Sequence, residues 1–302
     1  MNKKELIKEI NRLRKEKNAV ILAHNYQIGD IQDVADFVGD SLQLAKEAIK
    51  VKQDLIIFCG VHFMAESAKI LNPSKKVILP VKEAGCPMAD MASAEQIKEF
   101  KKVNPELKVV TYVNSSAEVK AESDVCCTSA NAVDVVRKTG AKEVLFVPDK
   151  NLGTFVDEKI EGVKIVKWEG FCPTHDRVTL EDVKITKKKY PGIKILVHPE
   201  CKPEVFHAVD FVGSTSQIIK FVEESDDKKF IIGTEKGIIH SLKKENPDKE
   251  FIILTEKLIC ENMKKTSLED VYKALKNEEY EICLDEEIAS KANKALERML
   301  KK

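Results

Sequence analysis

The chain has 302 residues, 43% hydrophobic and 33% charged, and its 50 basic and 50 acidic side chains cancel. That composition is not that of a disordered or membrane protein, and without a basic excess nucleic acid is not expected as a main partner. The longest apolar runs, such as Ala19 to Ala23, are too short for a bilayer, and the mixed charges of Lys3, Lys4 and Glu5 lack a signal peptide's apolar core, so a cytoplasmic protein with no membrane partner is expected.

The first predicted strand, Ala19 to Ala23, ends at His24 and runs into the polar turn Asn25-Tyr26. A short helix follows, then the patch Asp36-Phe-Val-Gly-Asp-Ser41 and a helix with apolar residues at helical spacing. Strands at Leu55 to Phe58 and Val77 to Leu79 come next, and Cys86 lies just beyond them. Seven residues later, Ser93 with Gln96 has the spacing of a helix capping box. The whole set then recurs. Strands at Val109 to Tyr112, Val144 to Phe146 and Lys164 to Val166 accompany the patch Asp124-Val-Cys-Cys-Thr-Ser129, Cys172 and the pair Thr179/Asp182. Strands at Lys194 to His198, Phe230 to Ile232 and Phe251 to Leu254 accompany Asp210-Phe-Val-Gly-Ser-Thr215, Cys260 and Ser267/Asp270. The patches are 88 and 86 residues apart, and a long internal period of this kind defines the architecture before any single motif does.

Strands rich in Val, Ile and Leu, alternating with helices and lacking clean polar alternation, predict parallel sheets covered on both faces. The expected fold class is α/β: three homologous α/β/α units around a pseudo-threefold axis, with a central active-site cavity at the carboxyl ends of the strands. The expected division is 1–85 together with 262–302, then 86–171, then 172–261. The segment after Cys260 is expected to pack back on the first unit. The final helix, amphipathic through Ile288, Ala292, Leu296 and Met299, is read as packing or a contact between copies.

Eight cysteines in a reduced compartment point to metal binding or catalysis, not disulfides. Cys86, Cys172 and Cys260 occupy equivalent loops, and packing alone gives no reason for a repeat to keep a thiol there. Three thiolates brought together suit zinc with a water, or a [4Fe–4S] cluster with one iron left open. Cys59, Cys126, Cys127, Cys201 and Cys283 are read as structural. Ser41, Ser129 and Thr215, with Ser214 beside it, are read as helix N-caps, and converging helix N-termini also make an anion site. His24, Tyr26, Tyr112, His198 and Glu200 at strand ends are candidate acids and bases, with His62 and His175 weaker candidates near the same rim.

These residues resemble the quinolinate synthase family over essentially the whole chain. The resemblance is carried by Leu22-Ala-His-Asn-Tyr26, Val38-Gly-Asp-Ser41, Gly60-Val-His-Phe-Met64, Gly85-Cys-Pro-Met-Ala89 and Thr111-Tyr-Val-Asn114, then by Cys127-Thr-Ser-Ala-Asn131, Gly170-Phe-Cys-Pro-Thr-His175, His198-Pro-Glu200 and Gly213-Ser-Thr215. Cys260 stands alone where some members carry a CxxCxxC motif, so the chain is similar to a short form. The resemblance implies three α/β/α domains around a pseudo-threefold axis and condensation of iminoaspartate with dihydroxyacetone phosphate, releasing phosphate and two waters. It implies a [4Fe–4S] cluster on Cys86, Cys172 and Cys260 acting as a Lewis acid. It further implies that Tyr26 and His24 assist carbon–carbon bond formation, that Glu200 is the base in dehydration, and that Tyr112, Asn114 and His198 orient intermediates. Ser41, Ser129, Ser214 and Thr215 would receive carboxylate or phosphate groups. A hand-off of iminoaspartate from an aspartate-oxidising enzyme stays open. The rival readings are an iron–sulfur hydro-lyase acting on a small hydroxy acid, and a metal-bearing sensor in which Glu200 would be dispensable.

Overall fold

The computed structural model describes residues 1–301. In the first unit, α1 (Lys3–Glu16), β1 (Ala19–His24), α2 (Gly29–Val34), β2 (Phe37–Gly39), α3 (Ser41–Lys50), β3 (Leu55–Cys59), α4 (His62–Leu71) and β4 (Lys76–Ile78) follow in order. The second holds α5 (Ala94–Val103), β5 (Lys108–Tyr112), α6 (Ala117–Ala121), β6 (Val125–Cys127), α7 (Ala132–Lys138), β7 (Glu143–Val147), α8 (Lys150–Asp157) and β8 (Lys164–Lys167). The third begins with α9 (Pro173–Asp176) and α10 (Leu180–Lys189), then β9 (Lys194–Val197), α11 (Pro203–Phe206), β10 (Phe211–Val212) and α12 (Thr215–Glu224). It closes with β11 (Lys229–Gly233), α13 (Ile238–Glu245) and β12 (Glu250–Ile253), and α14 (Leu268–Asn277) and α15 (Glu286–Leu300) end the chain.

Each sheet has four parallel strands in one order: β2-β1-β3-β4, β6-β5-β7-β8 and β10-β9-β11-β12. The sequence showed three strands per unit. The fourth is the edge strand inside each aspartate patch, only two or three residues long and too short to give a periodic signal. The patch aspartate explains its own recurrence. Its carboxylate accepts the backbone N–H of Ile21, Val109 or Ile195 at 2.8, 2.9 and 2.8 Å, and its own N–H returns to the same residue's carbonyl. That two-point clamp fixes the register of the edge strand against its neighbour.

The hydroxyl–acid pairs after the cysteines form capping boxes at the starts of α5, α10 and α14, as their spacing predicts. The residues after Cys260 divide: α14 packs on α1 and β3, whereas α15 lies against α6, β6 and α4. Ala292, Leu296 and Met299 of α15 are buried in an apolar cluster shared by the first two sheets, whose members include Leu22 and Phe58 on one side and Val110 and Phe146 on the other. The remaining faces are covered by separate apolar clusters, so most strands are buried along their length and lack alternation. In each sheet the chain leaves the central strand (β1, β5 or β9) for one edge and returns to its other side. The crevice at that switch point lies at the strands' carboxyl ends, where ligands bind in such sheets.

Candidate active site

One cavity of about 250 Å³, partly open to solvent, is lined from all three units at these switch points. Cys86, Cys172 and Cys260 all line it, each carried on a loop tied to its own sheet by one recurring bond. The N–H following the third strand's turn donates to the carbonyl two residues before the cysteine: His62 to Ala84 (2.8 Å), Lys150 to Gly170 (2.8 Å) and Lys236 to Leu258 (3.0 Å). Burial pushes the Cys86 thiol up to about 12, and raises Cys172 and Cys260 as well, with the neighbouring thiols adding to the shift at Cys86 and Cys172. Such groups stay protonated at neutral pH unless a cation draws off the proton, and three half-buried thiols lining one space are of the donor type a soft metal centre takes. All eight cysteines are free. Cys59, Cys126, Cys127 and Cys201 are buried and Cys283 is exposed.

The acid–base candidates form a continuous chain of hydrogen bonds. Tyr112 Oη donates to Glu200 Oε1 at 2.6 Å, and the other carboxylate oxygen lies 2.6 Å from His175 Nδ1. His175 Nε2 meets Thr234 Oγ1 at 2.9 Å, Thr234 Oγ1 meets Tyr26 Oη at 2.6 Å, and Tyr26 Oη meets Thr215 Oγ1 at 2.7 Å. The ring of His175 stacks on His198, centroids 4.8 Å apart, and His24 lies edge-on to Tyr26 at 4.5 Å. His24 and His198 hold the same posture. In each, Nδ1 accepts the backbone N–H two residues on, at 3.1 and 3.3 Å, which places the ring proton on Nε2; in His198 that atom faces Ser129 Oγ at 3.2 Å.

Burial sets most of the protonation states. It lowers His24 and His198 to about 3, so both rings are neutral, with Lys264 and His198 adding to the shift at His24. Burial and then the Glu200 charge raise Tyr26 and Tyr112 well above the usual phenol range. Burial also pushes Glu200 toward the acid form, but His198, His175 and the bonds from His175 and Tyr112 outweigh it and hold the group below the usual carboxylate range. Of the buried carboxylates on the cavity wall, Asp40, Glu200 and Glu235, only Glu200 belongs to this chain of hydrogen bonds, beside phenols and neutral imidazoles.

Ser41, Ser129, Asn114 and Thr215 line the same cavity. None of the three hydroxyls is a helix cap. Asp40 caps α3 and Ser214 caps α12, each through a capping box, while α7 begins after Asn131, two residues beyond Ser129. Ser214 is thereby spent on Gln217 N and is absent from the cavity wall, whereas Ser41 and Thr215, one residue later, are on it. Asn114 Oδ1 is buried with no partner among the described residues, an open acceptor on the wall.

His175, a secondary candidate by sequence, proves to be the link between Glu200 and Tyr26. Thr234, Glu235 and the rim residue Arg177 were not found by sequence. A signal for two of them exists: the 88- and 86-residue steps carry Gly60-Val61 onto Pro148-Asp149 and Thr234-Glu235, a row in which polar groups replace apolar ones. His62 is half-exposed and sits 3.6 Å from Glu66, away from the chain of bonds. Ligand atoms of Cys172, His175 and Glu200 lie within 4.8 Å of one another, so the cysteine edge and the acid–base chain adjoin.

Three parallel α/β units closing thiols and an acid–base chain into one cavity define an enzyme-like site, and the comparisons with known proteins agree. A family model described as "Quinolinate synthetase A protein" matches residues 8–301. The chain belongs to the quinolinate synthase family. It is 56% identical over 300 residues to the quinolinate synthase of Alkaliphilus metalliredigens, with 99% of each chain covered. The quinolinate synthases of Caldicellulosiruptor bescii, at 54% over 300 residues, and Dehalococcoides mccartyi strain CBDB1, at 54% over 299, match with the same coverage. No helix among the described residues is long and apolar enough to cross a membrane.

Proposed function

We propose that the chain is a transferase of NAD biosynthesis, condensing iminoaspartate with dihydroxyacetone phosphate to quinolinate with release of phosphate and two waters. The observation that carries this reading is the convergence of Cys86, Cys172 and Cys260 on the cavity that also holds Glu200 and Tyr26. The three thiols would hold a [4Fe–4S] cluster, which when bound with only three cysteine ligands supplies Lewis acidity at its fourth iron.

The protein's own groups do the rest. Ser41 and Thr215 stand at the first turns of α3 and α12, where Asp40 and Ser214 already take the N–H groups of Leu42, Gln43, Ser216 and Gln217, so it is through their cavity-lining hydroxyls that they would receive the carboxylates or phosphate. Arg177, whose Nε donates to the carbonyl of Pro173 beside Cys172, is a cation on the cavity's rim. Glu200, anionic and within reach of the cavity, would take protons from the condensed intermediate as each water leaves. Tyr112 and His175 keep its two oxygens aimed. Tyr26 would give a proton to a substrate oxygen and recover it along Thr234 and His175 from Glu200, so one buried chain would serve as acid and base in turn. Neutral His24, its Nε2 proton fixed by the bond at Nδ1, would donate to a carbonyl or imine during carbon–carbon bond formation.

The test is anaerobic reconstitution followed by dihydroxyacetone phosphate and freshly generated iminoaspartate, with quinolinate measured by mass spectrometry and iron counted in the same sample. Quinolinate from the unmodified chain and none from Cys86→Ala supports the reading. About four irons per chain without quinolinate would favour the hydro-lyase instead.

A further inference from the structure

The repeat is uneven behind the cysteines. At the position two residues past β3, β7 and β11 stand Val61, Asp149 and Glu235. Val61 offers no side-chain acceptor. Asp149 accepts Leu152 N at 2.8 Å and Cys172 N at 3.1 Å, capping α8 and holding the Cys172 loop, and no cation lies within ion-pair distance of it among the described residues. Glu235 is one methylene longer and does more. Its Oε1 accepts Cys260 N at 3.2 Å, while Oε2 accepts Gly237 N at 2.7 Å and Lys264 Nζ at 2.8 Å. Lys264 Nζ also donates to the backbone carbonyl of Tyr26.

Glu235 is wholly buried, and the Lys264 side chain is 16% exposed. A second contact presses the same elements together. A Cβ on Gly237 would lie 2.7 Å from three backbone atoms of Tyr26, a spacing only glycine allows. Gln32 Nε2 reaches the carbonyls of Asn25, Gln27 and Gly237 at 2.9 to 3.0 Å. The turn that carries Tyr26, in the first unit, is therefore seated on the third unit by backbone contact and by one buried ion pair.

We propose that Glu235 is a positioning residue: through one carboxylate it holds the Cys260 loop, and through Lys264 it holds the His24–Tyr26 turn, so that it sets the third cysteine against the acid–base chain. This rests on the reading above only where Cys260 is taken as a metal ligand. The order of links, Cys260–Glu235–Lys264–Tyr26, has a directional consequence. Cutting at Lys264 frees the Tyr26 turn but leaves the Cys260 loop tied to Glu235. Changing Glu235 loosens both.

The experiment is amide hydrogen exchange on the full-length metal-free chain and its Glu235→Gln, Lys264→Met and Lys264→Arg variants, with iron release to a chelator followed after reconstitution. Glu235→Gln is expected to speed exchange about tenfold in both 24–28 and 258–262, as the loss of a charged acceptor would, and to speed iron release by a similar factor. Lys264→Met is expected to speed exchange in 24–28 alone and leave iron release within about twofold, with Lys264→Arg restoring the turn. Exchange unchanged in both segments, or raised evenly along the chain in either variant, overturns the proposal. If the unmodified chain takes up no iron, the metal reading fails, while the exchange pattern still decides the linkage.

Discussion

Glu200→Gln is the substitution that most sharply separates chemistry from folding in this site. The carboxylate accepts two short bonds, from Tyr112 and from His175. A bond to a charged acceptor contributes about 1.5–3 kcal/mol, and a neutral one about 0.5–1.5. In glutamine the oxygen keeps one of these partners, and the amide N–H donates to the other after the phenol rotates or the imidazole changes tautomer. That loss is about 2–3 kcal/mol across the two bonds. It is offset by removing a charge whose burial costs several kcal/mol. The net change in stability should therefore stay within about 2 kcal/mol, a Tm shift of no more than roughly 8 °C. Removing the proton acceptor should lower kcat about 10²- to 10⁴-fold, equivalent to about 3–5 kcal/mol. Thermal unfolding and quinolinate formation measured on the same reconstituted preparation give both numbers. A variant that keeps kcat within tenfold of the unmodified chain would refute the role assigned to Glu200, and the sensor reading predicts that result.

Thr234→Val removes only the hydroxyl between Tyr26 and His175; kcat should fall about tenfold or more with Tm little changed and Thr234→Ser should recover it, whereas equal activity in the valine form would mean that the chain carries no proton. Asp124→Ala breaks the clamp on Val109 N, a buried donor then left without its partner, and should cost about 1–3 kcal/mol in urea unfolding; no measurable loss would show that edge-strand register has another source. His24 and His198 titrate near 3 in the folded chain against about 6.5 unfolded. Below about pH 6.5 the unfolded chain binds protons that these rings refuse, so stability of the metal-free chain should fall as pH drops toward 5, by up to about 1.4 kcal/mol per unit for each ring. His24→Asn should lessen that slope; an identical slope would place the proton uptake elsewhere.

The sequence by itself determined the architecture, because the signals were local and repeated. Apolar strands lacking alternation, capping boxes at Ser93, Thr179 and Ser267, and aspartates at 36, 124 and 210 are each satisfied within about twenty residues, so a period in the sequence carried them. The three cysteine loops were legible for the same reason. The edge strands were not, since two or three residues set no period. The tertiary structure alone decided how side chains from different units meet. Tyr112 and Glu200 are 88 residues apart in the chain and Tyr26 and Thr234 are 208 apart, and neither residue of either pair signals the other in sequence. The same holds for which hydroxyl faces the cavity. Asp40 and Ser214 compete with Ser41 and Thr215 for the capping position, and one residue's difference in where the helix starts sends one oxygen to the backbone and the next to the cavity. Repeat position told where each unit could act; only the packing of the three units set which groups share a proton.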